Sequence, residues 1–458
     1  MKLAIALATL IPAIASAQVD FDRAGSFRLR DALNASGPVP VSAPVPVSAP
    51  AAGAPSQAVP TPDAAASDRE WTIMVFINGK NNLEKFGLKD MNEMEMVGST
   101  DKMAVVVQIG RMTGQQGDFA GEGNWTGARR YLIQRDTDTA NVTSPIVQDL
   151  GATDMGSYLS LIQFGNWAKQ NYPARKYMMI VWNHGDGWLK NKKAPPPSDA
   201  KGISYDDETG NHMTIPELYS ALRGIGGVDV YGSDACLMQM GEVVYELKDV
   251  AKVIVGSEET EPGDGYTYNT FLGPVAENPF MGPLTLGRTA VNAYSDHYRD
   301  LGQGSTQSVL KTSNIPAFTE KVNAFARALM ASGEKDLAKT ARSGALAFAI
   351  PENKDLYDFV RLVEAGAQSA VLKAAASDLN VFITGTLIAH NRTNNAPESG
   401  AQFQGTPLEA FFYSPAKSYE PAKGIAAYLP SGAPADGYSE LQWTSASQWD
   451  ELIAWMNS

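Results

Sequence analysis

Cys236 is the only cysteine in the chain, and it lies in a turn directly after a strand-like apolar run at residues 228–231. Apolar side chains then recur at three- and four-residue spacing, which predicts a helix, at Leu237, Met240, Val244, Leu247 and Ala251. A thiol between a strand and a helix start lies near unpaired backbone N–H groups and the positive end of the helix dipole, and both favour the thiolate. The alternative is a small buried apolar cysteine, the commoner role of an unpaired cysteine. Position alone leaves these two interpretations open.

A histidine follows another strand-like run in the same way. Residues 177–182 are apolar, and His184 and Gly185 come shortly after them. In an open α/β sheet the functional crevice lies outside the carboxyl ends of the strands, so Cys236 and His184 are predicted to meet there. A cysteine nucleophile needs such a base, and the backbone N–H groups of Gly185 and Cys236 would form an oxyanion hole for acyl transfer. A lone histidine in a glycine-rich turn is more often structural, but its pairing with Cys236 favours the catalytic interpretation.

Carboxylates are concentrated around the same strand ends. Asp234 lies two residues before Cys236, and Asp264 belongs to an acidic segment after the next predicted strand. We expect both to project into one pocket beside the thiol, where they would select a cationic side chain. The alternative is that they are turn and cap residues, as aspartates often are. That alternative is favoured for the other acidic residues of the segment, Glu258, Glu259 and Glu261.

The composition excludes several other classes of protein. The 458 residues carry a net charge of −13, which is unsuited to neutralising the phosphates of a nucleic acid. One cysteine cannot form an intrachain disulfide, and the 4 histidines are scattered, so no ligand cluster at metal spacing is predicted. We therefore expect no nucleic-acid partner, no metal site and no cofactor.

Residues 1–17 have the features of a secretory signal peptide, with a basic start, a short apolar run and a small-residue cleavage site at Ala15-Ser16-Ala17. Cleavage is expected before Gln18, and because no cysteine follows that site, no bacterial lipid anchor is expected there. No later apolar run reaches the length of a membrane span. These features predict a secreted or periplasmic protein. An unpaired thiol is at risk of oxidation outside the cell, so its presence favours a chemical role.

Composition and periodicity divide the rest of the chain into three parts. Residues 18–69 are rich in Pro and Ala and predict a disordered linker or pro-region. Residues 70–283 alternate nearly all-apolar strands with helices, which predicts an α/β domain with a mostly parallel sheet covered on both faces. Residues 284–458 are mainly helical in pattern and are expected to pack on that domain and lend it a strand or two. The helices expected there are 284–299, 315–332, 355–366 and 370–388, and the short strands are 307–310, 345–350 and 425–429.

Several stretches resemble clostripain-like cysteine peptidases, which share the caspase-like fold. The His-Gly turn and the Asp-Ala-Cys turn, in this order and spacing, form a fairly specific pair. The similarity runs from about residue 70 to the end, and it includes Trp71-Thr72-Ile73-Met74-Val75, Asn81-Asn82-Leu83-Glu84, Asp206-Asp207, Glu261-Pro262-Gly263-Asp264-Gly265-Tyr266 and Gly424-Ile425-Ala426-Ala427-Tyr428-Leu429-Pro430.

The resemblance implies a three-layer αβα sandwich and a Cys–His dyad, with Cys236 as nucleophile and His184 as general base and acid. It implies cleavage after Arg or Lys, with Asp234 at the base of the specificity pocket and Asp264 as a second acidic contributor. It also implies self-cleavage in the loop after the histidine, whose lysines are Lys190, Lys192, Lys193 and Lys201. Some members of the family depend on calcium. The sequence has no compact EF-hand-like loop, so calcium rests on the resemblance alone.

Two residues depart from the family pattern near the histidine. Asn183 stands where an aspartate is expected, and Asp186 stands where a glycine is expected. The second change adds a carboxylate close to the dyad. It is expected to raise the pKa of His184 or to alter access of the substrate, which bears on efficiency and specificity more than on the class of reaction.

The sequence thus predicts an exported cysteine endopeptidase that cleaves peptides or proteins after Arg or Lys through a thioester on Cys236. The alternative is a non-catalytic exported protein that binds basic peptides on the same fold. An arginyl electrophile distinguishes the two, since it would label an activated thiol and leave an unactivated one free. A glycosidase using Glu258 or Asp264 would suit the acidic segment but leaves the cysteine turn unexplained.

Overall fold

The computed structural model describes residues 68–115, 117–188, 202–396 and 417–458. The predicted signal peptide at 1–17 and all but the last two residues of the predicted linker lie outside the described residues. The same is true of the four lysines predicted as sites of self-cleavage, Lys190, Lys192, Lys193 and Lys201. Those expectations stay predictions.

The strands that the structure describes are, in chain order, β1 (Trp71–Gly79), β2 (Met103–Arg111), β3 (Gly127–Leu132), β4 (Ile146–Gly151), β5 (Lys176–Trp182), β6 (Ile203–Asp206), β7 (Asn211–Met213), β8 (Val228–Asp234), β9 (Ala251–Gly256), β10 (Ser305–Lys311), β11 (Asn353–Asp355), β12 (Ile388–Asn394) and β13 (Ala426–Tyr428). The α-helices that it describes are α1 (Glu84–Glu95), α2 (Tyr158–Asn171), α3 (Ile215–Gly224), α4 (Gly241–Leu247), α5 (Tyr268–Glu277), α6 (Pro283–Asp300), α7 (Ile315–Ser332), α8 (Lys335–Gly344), α9 (Leu356–Gly366), α10 (Ala370–Phe382), α11 (Gln442–Ala446) and α12 (Trp449–Asn457).

A nine-stranded sheet forms the centre of the described structure, in the order β12-β10-β9-β8-β5-β1-β2-β3-β4. The five strands from β9 to β2 in this order are mutually parallel. The strands added at either edge pair antiparallel. The mostly parallel sheet predicted from the apolar runs is therefore confirmed.

Both faces of the sheet are buried, and this explains why most residues of β1, β2 and β5 are apolar. Alternate residues of a strand point to opposite faces. In β1, Ile73, Val75 and Ile77 belong to a core with α1, α5 and α6, whereas Met74 and Phe76 belong to a second core with α2, α3 and α4. The result is a three-layer αβα sandwich.

The crossover from β5 to β8 sets up the end of the sheet where the site lies. After β5 the chain forms the β6–β7 hairpin and then α3, which starts at a capping box between Thr214 and Glu217. The helix packs its apolar side chains, among them Leu218 and Leu222, into the second core. The chain then enters β8 directly beside β5.

The region after residue 283 contributes to the same sheet and also forms helices. Of the short strands expected there, 307–310 lies within β10 and 425–429 contains β13. The expected strand at 345–350 is wrong, because only Ala347 forms a bridge, to Lys354. The expected helix 370–388 is too long, since α10 ends at Phe382 and a π-helical turn, Ile383–Leu387, leads into β12. Helix α8 was not expected.

Candidate active site

The histidine turn and the cysteine turn lie side by side at the carboxyl ends of β5 and β8. Trp182 pairs with Asp234 across the two strands, so His184 and Cys236 each lie two residues beyond this last pair. The Asn183 N–H donates to the Asp234 carbonyl at 3.1 Å. A Cβ on Gly185 would lie 2.7 Å from the Cys236 carbonyl oxygen, so the close approach of the two turns requires glycine. The structure therefore brings His184, Gly185 and Cys236 together.

The cysteine turn is held by the segment after β9 and not by a helix. The helix predicted after Cys236 is present as α4 but is shorter than expected, because it begins only at Gly241 and Ala251 is already in β9. The Leu237 N–H donates to the Glu259 carbonyl at 3.1 Å, and the Gln239 N–H donates to the Ser257 carbonyl at 2.9 Å. Leu237 has a φ of 63°, which is unusual for a side-chain-bearing residue and stores backbone strain next to the thiol.

The thiol of Cys236 is neutral in this setting. Its Sγ accepts one hydrogen bond, from the Glu261 N–H at 3.4 Å. Burial raises the pKa of the thiol well above its usual value, and the negative charges of Glu261 and Asp186 raise it further. The thiolate-favouring environment expected from a helix start is therefore absent from the described surroundings of Cys236.

The ring of His184 is held by an asparagine from the loop between β1 and α1. His184 Nε2 lies 2.7 Å from Asn82 Oδ1. Because the amide oxygen only accepts, the ring proton belongs on Nε2, and Nδ1 is the basic nitrogen. Burial lowers the pKa of His184 to about 4, so the imidazole is also neutral near pH 7. Sequence reasoning gave Asn82 no role, although the stretch Asn81-Asn82-Leu83-Glu84 carried part of the family resemblance.

Two backbone N–H groups at the turns are open. Among the described residues, neither the Gly185 amide nor the Cys236 amide donates to a backbone carbonyl. Buried or half-buried amides are normally paired, so two open ones beside a thiol are available to a ligand oxygen.

Asp234 is buried at the end of β8, two residues before the thiol. Its Oδ1 accepts from the Tyr266 N–H at 3.1 Å, and its Oδ2 accepts from the Tyr268 hydroxyl at 2.8 Å. Gly265 has a φ of 56°, and a Cβ there would lie 2.6 Å from Asp234 Oδ1, so this loop also closes on the carboxylate through a glycine. Burial raises the pKa of Asp234 to about 7.

Asp264 is half-buried and already in contact with two basic side chains of the protein. Its Oδ1 lies 2.6 Å from Lys89 Nζ, and its Oδ2 lies 3.4 Å from His297 Nε2. These two partners, His297 first, lower the pKa of Asp264 to about 2 despite its partial burial. Its carboxylate is thus ionised and neutralised within the fold, unlike that of Asp234.

Comparison with known proteins places this site in a family. The family model that describes the clostripain family matches residues 75–455. The chain belongs to the clostripain family. Clostripain of Hathewaya histolytica is 28% identical over 218 residues, which are 43% of this chain and 40% of clostripain. The chain thus matches less than half of the length of that curated relative.

Two solved structures of C11 proteases share the fold. A secreted C11 cysteine protease from Bacteroides thetaiotaomicron, solved with an irreversible peptide inhibitor, superposes with a TM-score of 0.61 at 21% identity and covers 83% of this chain and 100% of that one. An inactive zymogen C11 protease from Parabacteroides distasonis gives a TM-score of 0.58 at 17% identity, over 84% of this chain and 98% of that one.

The departure from the family pattern at Asn183 has a structural reason. The buried Asn183 donates through Nδ2 to the Asn78 carbonyl at 2.6 Å and accepts at Oδ1 from the Tyr205 N–H at 2.7 Å. It therefore joins the end of β1 to β6 behind the histidine turn. An ionised aspartate could accept from Tyr205 but could not donate to Asn78.

The second departure from the clostripain pattern, Asp186, points its carboxylate at a tyrosine. Asp186 Oδ2 accepts from the Tyr205 hydroxyl at 2.8 Å. Burial is the main cause of the raised pKa values of Tyr205 and Cys236, and the charge of Asp186 adds to both. Of the two effects expected of Asp186, a raised pKa of His184 is wrong, because burial lowers the pKa of that group. An effect on access of the substrate stays a prediction.

The described residues contain no group of three or more His, Cys, Asp or Glu side chains arranged to hold a metal ion. The dependence on calcium found in some members of the clostripain family therefore stays a prediction by resemblance. Within the same residues, every helix is too short or too polar to cross a membrane.

Proposed function

We propose that this chain is an exported cysteine endopeptidase that cleaves peptide bonds after arginine or lysine, with Cys236 as nucleophile and His184 as general base and acid. The observation that carries the proposal is the pair of turns in matched register, with a thiol, an imidazole and two open amides within one small region. Membership of the clostripain family supports the class of reaction.

The two reacting groups are neutral at rest, since burial opposes charge on both. As Cys236 Sγ attacks the substrate carbonyl carbon, Nδ1 of His184 accepts the thiol proton, and Asn82 holds Nε2. The negative sulfur and the positive imidazolium therefore form only during the reaction. The carbonyl oxygen gains the displaced electron pair and is stabilised by the N–H groups of Gly185 and Cys236.

Collapse of this intermediate breaks the C–N bond. His184 gives its proton to the leaving amine, and the acyl group remains on Cys236 as a thioester. Water then attacks the thioester carbonyl with His184 again as base. The acid product leaves, and the thiol and the neutral imidazole are restored.

Specificity for a basic residue is supported by the buried carboxyl group of Asp234 two residues before the nucleophile. Asp264, which the resemblance names as a second contributor, would add negative charge near the pocket while it remains in contact with Lys89 and His297. Export is supported by the signal-like residues 1–17 and by the secreted C11 protease among the similar structures. Self-cleavage between residues 190 and 201 is supported by the lysines of that loop, Lys190, Lys192, Lys193 and Lys201.

The test measures cleavage by the purified exported protein and its variants. The substrates are peptides in which Arg, Lys or Leu directly precedes the bond to be cleaved. Cys236→Ala and His184→Ala should lose cleavage after Arg and Lys by at least about a thousandfold. His390→Ala, which changes a histidine on edge strand β12, is the matched control and should keep the parent rate. Intact mass should show the 190–201 loop uncut in Cys236→Ala. A Cys236→Ala protein that cleaves as fast as the parent would overturn the assignment.

A further inference from the structure

A second buried carboxyl group lies against Asp234. Glu261 is 5% exposed and Asp234 is 4% exposed, and their carboxyl groups are in hydrogen-bonding contact. Two ionised carboxylates cannot share such a contact, so at least one proton lies between them. The backbone N–H of Glu261 is also the donor to Cys236 Sγ, which fixes this pair directly beside the thiol.

The pair has no counter-charge of its own. Among the described residues, no Lys, Arg or His lies within 4.0 Å of either carboxyl group, whereas Asp264 is paired with Lys89 and Glu259 with Lys417. Glu261 Oε1 accepts from Gln307 Nε2 at 3.2 Å, and two buried polar atoms of neighbouring residues, Gln307 Oε1 and the Tyr294 hydroxyl, have no hydrogen-bond partner among the described residues. A guanidinium or ammonium group, with several donors and one positive charge, would satisfy both deficits.

The groups facing the pair from each neighbouring element are acidic or neutral. Helix α1 contributes Asp90 and Glu93, and helix α6 contributes Tyr294 and Tyr298. The others are Tyr266 in the loop before α5, Tyr268 at the start of α5, and the Cys236 thiol. Burial and nearby negative charge both disfavour ionisation of the pair. The proton therefore stays on the pair at neutral pH while no cation is bound.

We infer that Asp234 and Glu261 act together as a proton-sharing specificity pair, whose proton is displaced when the cationic side chain of a substrate enters. The inference rests on the proposed function and adds Glu261 as a specificity-determining residue. The balance is simple: the incoming cation takes the place of the proton, which leaves to solvent, and the net buried charge is the same before and after. Sequence reasoning took Glu261 for a turn residue, because only the fold brings it against Asp234.

Two consequences follow for binding. Binding of a basic peptide should become tighter as the pH rises from about 6 to about 8, because less work is needed to remove the proton. A peptide with citrulline in place of arginine has nearly the same shape but no charge. It should bind weakly and without this pH dependence.

The experiment is calorimetry on the Cys236→Ala protein, which should bind an arginyl peptide without cutting it. Titrations near neutral pH in buffers of different ionisation enthalpy give the number of protons released. We expect about one proton per arginyl peptide and none for the citrullyl peptide. Adding Glu261→Gln should abolish most of the proton release and reduce the preference for arginine over citrulline by about tenfold.

Glu258→Gln is the matched control, since Glu258 is another buried glutamate in contact with a buried aspartate, Asp355. It should leave proton release unchanged. Unchanged release and preference in the Glu261→Gln variant would overturn the inference while leaving the proposed function intact. A parent protein that neither cleaves nor binds arginyl and lysyl peptides would overturn both, and the cleavage assay on the parent tells these cases apart.

Discussion

At the scale of single residues, one contact from Asn82 determines which ring nitrogen of His184 carries the proton. The amide oxygen at 2.7 Å fixes the proton on Nε2 and so leaves Nδ1 as the base. The same ring has a pKa of about 4 because it is buried, so it stays uncharged over the range in which a protease of this kind would work. In the proposed mechanism, Asn82 is therefore a positioning residue that acts through His184.

Replacing Asn82 tests this role. Asn82→Ala should lower kcat by about 10- to 100-fold with little change in KM, because ring orientation is lost while substrate contacts remain. Asn82→Asp should keep the hydrogen bond, and its negative charge should raise the pKa of His184. Since the base works only when deprotonated, the acid limb of the kcat profile should then move to higher pH.

The chain offers a matched control for that experiment. Asn292 Oδ1 lies 2.8 Å from His390 Nε2, which is the same kind of contact at the edge of the sheet. Asn292→Ala should leave kcat and its pH profile unchanged. An Asn82→Asp protein whose acid limb does not move would show that residue 82 has no electrostatic influence on the proposed base, His184.

At the scale of secondary-structure elements, a glycine allows two turns to come into contact at the site. The turns after β5 and β8 touch because Gly185 has no Cβ, and a Cβ at this position would lie 2.7 Å from the Cys236 carbonyl oxygen. Gly185→Ala should therefore move Cys236, the proposed nucleophile, away from His184, the proposed base, by about a few tenths of an ångström or more. We expect a fall in kcat/KM of about a hundredfold with the fold retained, as judged by circular dichroism.

Gly273 gives the comparison for that variant. It lies in α5, and no heavy atom would approach its added Cβ within 4 Å. Gly273→Ala should be fully active. If Gly185→Ala were as active as Gly273→Ala, the close contact between the turns would have no part in catalysis.

The elements that the sequence predicted well are those with a strong local signal. The strands β1, β5, β8 and β9 are largely apolar because both faces are buried, and that pattern is visible in the residues alone. Cys236 and His184 could be predicted as candidate catalytic residues from the sequence because each follows such a strand. The helix expected after Cys236 starts later than predicted, because the apolar spacing from Leu237 to Met240 belongs to a turn held by the Glu259 and Ser257 carbonyls.

Contacts between distant segments could not be predicted in this way. Asn82 and His184 are 102 positions apart in sequence, and nothing in the composition of either segment links them. The pairing of Glu261 with Asp234 likewise depends on a loop that closes through Gly265. The helix predicted at 370–388 ran past the end of α10, because the π-helical turn that follows continues the helical pattern of apolar residues, and the polar edge strand β12 was not predicted.

On the scale of the whole molecule, another buried carboxyl pair joins the sheet to the C-terminal region. Glu258 follows β9 and Asp355 ends β11, and their side chains are in contact. Glu258 Oε2 accepts from the Gly424 N–H at 3.0 Å, and Asp355 Oδ2 accepts from the Lys423 N–H at 2.8 Å. The pair thus lies where β9, β11 and the segment before β13 converge.

The pH dependence of stability should report on this pair. Burial raises the pKa of Glu258 well above its usual value and that of Asp355 to about 6, so the folded state binds more protons than the unfolded chain above about pH 4. The free energy of unfolding should therefore fall as the pH rises through this range, by up to about 1.4 kcal/mol per pH unit for each proton involved.

Glu258→Gln removes one of the two titrating groups, and its amide can donate to Asp355. The difference in unfolding free energy between parent and variant, measured by urea denaturation from about pH 5 to about pH 7.5, should shift in favour of the variant as the pH rises. A difference that does not change with pH would mean that the two carboxyl groups share no proton in the folded protein.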